Sequence, residues 1–324
     1  MKKTLVALSV LMAATSAQAI ELYNQDGATV NMGGDIEVRY KKAKDDGSEF
    51  KQEIDDSDLN FDIRYAVNDS LSVGGYWEIN DLSTKDGEGG DAYVSFISAD
   101  YGTVKIGKTC TQLDDSGIGS DFAFGISSFI NDSEVFCSDE IVRYDLDKGN
   151  FYGGFALAQD KNGNTNLNDD STYFDGKIGY RVADFDFTGF YGSGEVDKTV
   201  GATTTKVDEK AWSLQAKFSG VENLELAAAF YNLDVEGETV DTIAVAATYA
   251  LETVELAAGF SNSKVKDADD FNAWYVNAAY PLAPNTKVYA EVGGDNGETN
   301  VGTDAAPEFK DTEVGMVVGI KASF

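Results

Sequence analysis

The final twelve residues, Glu313-Val-Gly-Met-Val-Val-Gly-Ile-Lys-Ala-Ser-Phe324, alternate. Val314, Met316, Val318, Ile320, Ala322 and Phe324 share one face, and Glu313, Gly315, Val317, Gly319, Lys321 and Ser323 share the other. Side chains of a strand repeat with period two, so one face here is apolar and the other mostly small or polar. A strand of a soluble sandwich can end this way. A transmembrane β-barrel that closes on its last strand, with the aromatic in an interfacial girdle, accounts better for a chain stopping at Phe324.

The opposite end agrees. Lys2 and Lys3 precede an apolar run from Leu5 to Ala14, followed by the small-x-small site Ala17-Gln18-Ala19. This is the pattern of a secretory signal peptide over residues 1–19, leaving 20–324 as the mature barrel. The apolar run is too short for a membrane anchor. Cleavage removes two lysines and no acid, so the mature chain is more acidic than the formal charge of −31 already makes it.

Composition fits an exported all-β protein, with 33 Gly, 16 Tyr, 19 Phe, 3 Pro and 2 Cys. From residue 30 onward, short alternating runs are separated by Gly/Asp/Asn turns, and no sustained 3.6-residue period appears. The expected fold is a transmembrane antiparallel β-barrel of roughly sixteen strands, each roughly ten residues long. Runs such as Val30–Tyr40, Leu59–Val67, Leu71–Leu82 and Phe151–Gln159 read as strands. Tight turns (Val67–Ser70, Ala99–Gly102) alternate with long acidic connections (Lys41–Ser57, Asp160–Ser171, Gly192–Lys210, Gly293–Thr312). Short periplasmic turns and longer outer loops would give this rhythm.

The alternation also assigns the faces. Val30, Met32, Ile36 and Val38 face lipid, so Asp35, Glu37 and Arg39 face inward. In the next strand Leu59, Phe61, Ile63 and Tyr65 face out, leaving Asp58, Asp62 and Arg64 inside. In the third, Val73, Trp77 and Ile79 face out, and Tyr76 and Glu78 face in. A charge on the lipid face costs several kcal/mol at the bilayer midplane, so these charges belong to a wet interior.

Cys110 and Cys137 bracket the longest stretch without alternation. An exported pair in an oxidising compartment reads as a disulfide, with two free thiols as the alternative. The bridge is expected to pin an acidic loop, residues 110–139, folded inside the barrel. No metal or other cofactor is expected, since two thiols and no histidine make a poor ligand set. Acidic clusters such as Asp267-Ala-Asp269-Asp270 could hold divalent cations only weakly, and no EF-hand pattern is present.

Two other functions are excluded. Gly102-Thr-Val-Lys-Ile-Gly-Lys-Thr109 matches the P-loop pattern, but Val104 and Ile106 make its middle a strand and Cys110-Thr-Gln-Leu is a poor helix start. Phosphate binding there needs a helix N-terminus. Catalysis has little support either. The chain has no histidine, which removes Ser-His-Asp and Cys-His arrangements. The carboxylate pairs Asp55/Asp56 and Asp169/Asp170 read as solvated runs in polar loops. The chain is not expected to be an enzyme or to bind nucleic acid.

Glu21-Leu-Tyr-Asn-Gln-Asp-Gly27, Leu71-Ser-Val-Gly-Gly-Tyr-Trp-Glu-Ile-Asn80, Ala99-Asp-Tyr-Gly-Thr-Val-Lys-Ile-Gly-Lys108 and the terminal Phe324 together resemble the Gram-negative general porins. The motifs concentrate in residues 20–155; beyond that the likeness is mainly pattern, until the last strand. The resemblance implies a sixteen-stranded, homotrimeric outer-membrane barrel for small hydrophilic solutes, set among lipid and lipopolysaccharide. It further implies a third loop folded inward to face a basic cluster on the wall. Ser120-Asp-Phe-Ala-Phe-Gly125 resembles the family's Pro-Glu-Phe-Gly-Gly without its proline, which gives Asp121 the place of the loop acid. Where the family has wall bases this chain has Asp35, Asp58 and Asp91. The remaining inward bases are Arg39, Arg64, Lys105 and Arg143, opposed from the loop by Asp114, Asp115, Asp121, Asp132 and Glu134.

Rings of acids favour cations, and low-dielectric walls focus their field. The expected function is a general diffusion porin with cation preference. The first alternative is a solute-specific channel with Tyr76, Tyr93 and Tyr152 as a stacking track. The second is a surface-interaction barrel whose acidic loops bind divalent cations or other ligands.

Overall fold

The computed structural model of the protein describes residues 19–80, 89–128, 136–161, 167, 171–200, 203–265, 268–300 and 308–324. Residues 1–18 of the expected signal peptide, the expected loop acids Asp132 and Glu134, Asp169/Asp170 and Asp267 lie outside the described residues. The first nine strands are β1 (Ile20–Gln25), β2 (Ala28–Lys42), β3 (Lys51–Asn68), β4 (Leu71–Ile79), β5 (Gly89–Ser98), β6 (Gly102–Cys110), β7 (Cys137–Asp147), β8 (Phe151–Gln159) and β9 (Thr172–Val182). They are followed by β10 (Phe185–Val200), β11 (Thr203–Val221), β12 (Leu224–Val235), β13 (Glu238–Ala250), β14 (Glu255–Val265), β15 (Phe271–Ala283) and β16 (Thr286–Asp295). A small hairpin, β17 (Glu298–Asn300) and β18 (Phe309–Asp311), precedes β19 (Gly315–Ser323).

Each strand from β2 to β16 pairs antiparallel with the next, β16 pairs with β19, and β19 returns to β2. Those sixteen strands form a closed barrel, so no long edge is left unpaired in lipid. At the seam Val317 stands opposite Glu291, and Gly319 opposite Arg39. The terminal residue completes it: Phe324 donates its amide to Gly34 O at 2.9 Å and accepts from Gly34 N at 3.0 Å. The preceding strand β1 turns back along β2 through Asp26-Gly27, both at positive φ. This is the backbone that a two-residue hairpin requires and that glycine adopts without strain.

The lipid face is apolar along every barrel strand. Ile36, Ile63, Trp77, Val94, Ile106, Phe155, Ile178, Leu214, Ile243, Val276 and Ile320 are all exposed there. The buried apolar cluster lies inside the barrel, the reverse of a soluble sandwich. Leu113, Ile118, Ile126 and Phe136 pack against inward Ala156, Ala158, Ala211, Ala227, Ala229, Ala244 and Ala257. Alternate alanines on β8 and β11–β14 leave a bay on one side of the lumen, and the segment after β6 fills it. Within that segment Leu113–Ser116 forms a single 3-10 turn.

Two expected connections are strand instead. The stretch expected as the loop Gly192–Lys210 continues β10 to Val200 and begins β11 at Thr203, and β2 and β3 extend to Lys42 and from Lys51. The outward face of the β10–β11 extension is polar (Glu195, Lys206, Asp208 and Lys210) while Val196 and Val207 are buried on its inner face, so no outer apolar band marks it, and the ladder hydrogen bonds continue. Gly102–Cys110 is β6 throughout, which removes the P-loop geometry.

Candidate functional site

Between β6 and β7 the chain leaves the wall. Cys110 and Cys137 are register partners on the last rung of that pair and form a disulfide. Thr111 N donates to Phe136 O at 2.6 Å one step beyond. The inward segment, described over residues 111–128 and at Phe136, lies between them, and Cys110 and Cys137–Asp139 belong to the wall.

Its course is fixed by groups from widely separated strands. Gln112 N and Leu113 N donate to the fully buried Asp175 carboxylate of β9 at 3.1 and 3.0 Å. Ser116 O accepts from Tyr231 Oη at 2.9 Å and from Gln215 Nε2. Further on, Ser120 N donates to Tyr275 Oη at 2.6 Å. Phe122, Ala123 and Phe124 donate their amides to Glu291 at 2.6, 2.9 and 2.9 Å. Ser127 N then returns to Ser261 Oγ at 2.8 Å. The segment thus lines the far wall through β16 to β19 and touches β2, where Arg39 Nη1 donates to Phe122 O at 3.4 Å.

The wall of the lumen carries the expected residues on its inner face: Asp35, Glu37 and Arg39 on β2, Asp58, Asp62 and Arg64 on β3, Glu78 on β4, Asp91 on β5, Lys105 on β6 and Arg143 on β7. Their pairing differs from acid facing base across the pore. Lys321 on β19 binds Asp35, and also Asp56 at 2.8 Å and Glu37 at 3.5 Å. Arg39 binds Glu53 at 2.6 Å and Asp55. Arg143 binds Asp115 at 2.5 Å and Asp145 at 2.8 Å, and donates to the carbonyls of Cys110 and Thr111 at 3.2 and 2.8 Å. Asp115 also takes Lys177. Arg143 therefore ties down the root of the loop, and Asp115 binds wall bases directly. Arg64 pairs with its own neighbour Asp62 at 2.7 Å. The reading of Asp55/Asp56 as a solvated run is overturned: both lie on β3 and pair with lumen bases, because β3 starts earlier than its apolar pattern shows.

Other inward bases stand over aromatic rings. Lys105 Nζ is 4.8 Å from the Tyr93 ring centre and Lys287 Nζ 4.8 Å from that of Phe122. Asp91 accepts from Thr109 Oγ1 at 3.1 Å, and Glu78 accepts from Tyr76 Oη at 3.4 Å. Asp114 and Asp121 are open to the lumen. Asp114 is pushed above the usual carboxylate range by surrounding protein and then by Asp115; Asp121 is pushed up by surrounding protein and then by the charge of Glu291. Asp35, Asp56 and Asp58 lie close enough together to suit a cation. The Lys321 ammonium binds two of the three.

Tyr76 and Tyr93, cross-strand partners, stack with ring centres 5.2 Å apart. Tyr152 is not part of that track. Its hydroxyl binds Asp186 and Thr188 and Arg181 covers its ring at 4.1 Å, near the tight turn after β7. Sequence reasoning missed Glu291, Asp175, Tyr289 and Lys177. Alternation in Lys287-Val-Tyr-Ala-Glu-Val-Gly293 does place Lys287, Tyr289 and Glu291 inward, but nothing local pairs Glu291 with a loop 167 residues away.

A family model described as Gram-negative porin matches residues 7–300. Porin-like protein H of Photobacterium profundum is 31% identical, and the alignment covers the whole of both chains. Outer membrane protein U of Vibrio parahaemolyticus is 27% identical over the whole of both. Among solved structures, Vibrio cholerae OmpT in its trimer form aligns with a TM-score of 0.74 at 20% identity, covering 92% of this chain and 100% of that one. An anion-selective porin from Comamonas acidovorans aligns with a TM-score of 0.70 at 16% identity, covering 92% and 100%. Likeness at that level extends to the fold alone; the fold does not fix the sign of selectivity.

Proposed function

The chain belongs to the Gram-negative porin family and spans the outer membrane as a sixteen-stranded barrel, and on that footing we propose that it is a general diffusion channel with a preference for cations. The inward segment acts as its constriction, with Asp114, Asp115 and Asp121 on the loop and the β2–β7 charges on the wall. The observation that carries this reading is the pairing of the wall bases: Lys321, Arg39 and Arg143 each bind at least two carboxylates. No surplus of positive charge remains at those clusters, and Glu78, Asp91, Asp114 and Asp121 add to the negative side. Rings of acid in a low-dielectric tube raise cation concentration at the mouth. Assembly as a homotrimer among lipid and lipopolysaccharide completes the proposal; the trimer form of a solved structure with the same fold supports it.

Proteoliposome swelling with matched-size solutes tests the reading. The expected order is cationic, then neutral, then anionic, falling smoothly with size. Faster entry of the anion would contradict it. The Tyr76–Tyr93 stack favours a second reading, a wall subsite for flat-faced sugar rings; sugar-dependent block of single-channel current at low concentration would support that instead.

A further inference from the structure

The tip of the inward segment is seated by shape as well as by hydrogen bonds. Gly293 on β16 and Gly315 on β19 are register partners on the inner face, beside the Phe124 ring. A Cβ on Gly315 would stand 2.2 Å from Phe124 Cε1, and one on Gly293 would stand 2.5 Å from Phe124 Cβ. Non-bonded carbons rest roughly 3.5–4.0 Å apart, so any side chain at either position collides with the seated ring. The neighbouring aromatic repeats the device. Phe122 lies flat on Tyr289 with ring centres 3.9 Å apart, and Tyr289 fills the space over Gly319, where a Cβ would meet its Cζ at 2.3 Å. Val317, 1% exposed, packs against this group between the two glycines of β19.

We propose that the facing pair Gly293 and Gly315 is a keyhole for Phe124, and that this fit sets how far the constriction loop stands off the closing strands and hence the cross-section of the pore. The proposal rests on reading the inward segment as the constriction. Glu291 holds the three tip amides, which fixes the backbone; the keyhole fixes how deeply the tip sits. Behind the tip is only the wall of β16 and β19, so a side chain at Gly315 must push the ring toward the lumen, by roughly 1.5 Å to restore carbon contact.

The test is a size swap read by single-channel recording. Gly315→Val is expected to lose part of the main conductance level and to gain brief closures, at an unchanged reversal potential because no charge changes. Phe124→Ala in the Gly315→Val background is expected to recover the level of Phe124→Ala alone, since the smaller residue no longer meets the valine. Unchanged conductance in Gly315→Val, or no recovery in the double variant, overturns the proposal. If Gly315→Val alone does not assemble, the double variant decides: assembly with conductance supports the keyhole, and failure overturns it. An unmodified protein silent in bilayers overturns the channel reading itself, whereas a conducting protein indifferent to Gly315→Val overturns only the keyhole.

Discussion

Replacing Glu291 with glutamine tests how the inward loop is held. Oε2 accepts from Phe122 N at 2.6 Å and Asn277 Nδ2 at 2.9 Å; Oε1 accepts from Ala123 N and Phe124 N, both at 2.9 Å. Glutamine keeps the shape and one oxygen, but its amide NH2 then points at two donors. Bonds to a charged acceptor contribute about 1.5–3 kcal/mol each, so losing two costs about 3–6 kcal/mol before lumen water restores part of it. Retaining even about 3 kcal/mol of that loss shifts the seated tip roughly a hundredfold toward the unseated form. Single-channel recordings of Glu291→Gln should show frequent sub-level excursions, and the purified barrel should unfold at a lower temperature. A variant with parent-like noise and thermal midpoint would refute the assignment of Glu291 as the anchor.

Other outcomes follow from the same contacts. Removing the disulfide with Cys110→Ser/Cys137→Ser closes off a constraint on about 28 residues, worth about 3.5 kcal/mol in the chain-entropy account. A lower unfolding midpoint is expected, with conductance largely kept because Asp175, Tyr275 and Glu291 still hold the loop; an unchanged midpoint would contradict it. Lys321→Gln leaves Asp35, Glu37 and Asp56 without their shared cation, so cation preference should rise while stability falls, measured by reversal potential and thermal melting. Asp114 and Asp121 titrate above the ordinary carboxylate range, so cation preference should begin to fall, on acidification, at a higher pH than ordinary carboxylates would give. Their folded forms hold protons more tightly than the unfolded chain does. Their contribution to stability is therefore greatest below the unfolded value near 3.8 and is lost as pH rises through the raised value. Asp121→Asn should remove part of the pH dependence of selectivity, and an unaltered titration would refute that assignment.

The fold was legible where lipid imposes a pattern. Met316, Val318 and Ile320 had to be apolar, so the final strand declared itself, and the same constraint exposed the faces of β2–β4. Beyond the lipid the outward face turns polar and the constraint vanishes, which is why the outer halves of β10 and β11, with Glu195, Lys206, Asp208 and Lys210 outward, read as loop. The candidate site was legible on the wall, because an inward charge interrupts the alternation. Its partners were not. Arg143 reads as a wall base opposed by acids of the loop, and one of them, Asp115, does bind it; that Asp145 and the carbonyls of Cys110 and Thr111 share the same guanidinium was not legible. Asp55 and Asp56 read as solvated, yet they meet Arg39 and Lys321. Val317 looked like an apolar residue on the wrong face, and the structure turns it to the loop tip. Such contacts join residues far apart in the chain, and no local pattern encodes them.

The central claim is the negative lumen, and the zero-current potential of the purified protein across a planar bilayer with a potassium chloride gradient measures it most directly. A potential of the sign set by potassium, larger at low ionic strength where screening is weaker, is expected. A potential near zero, or of the sign set by chloride, would contradict the account.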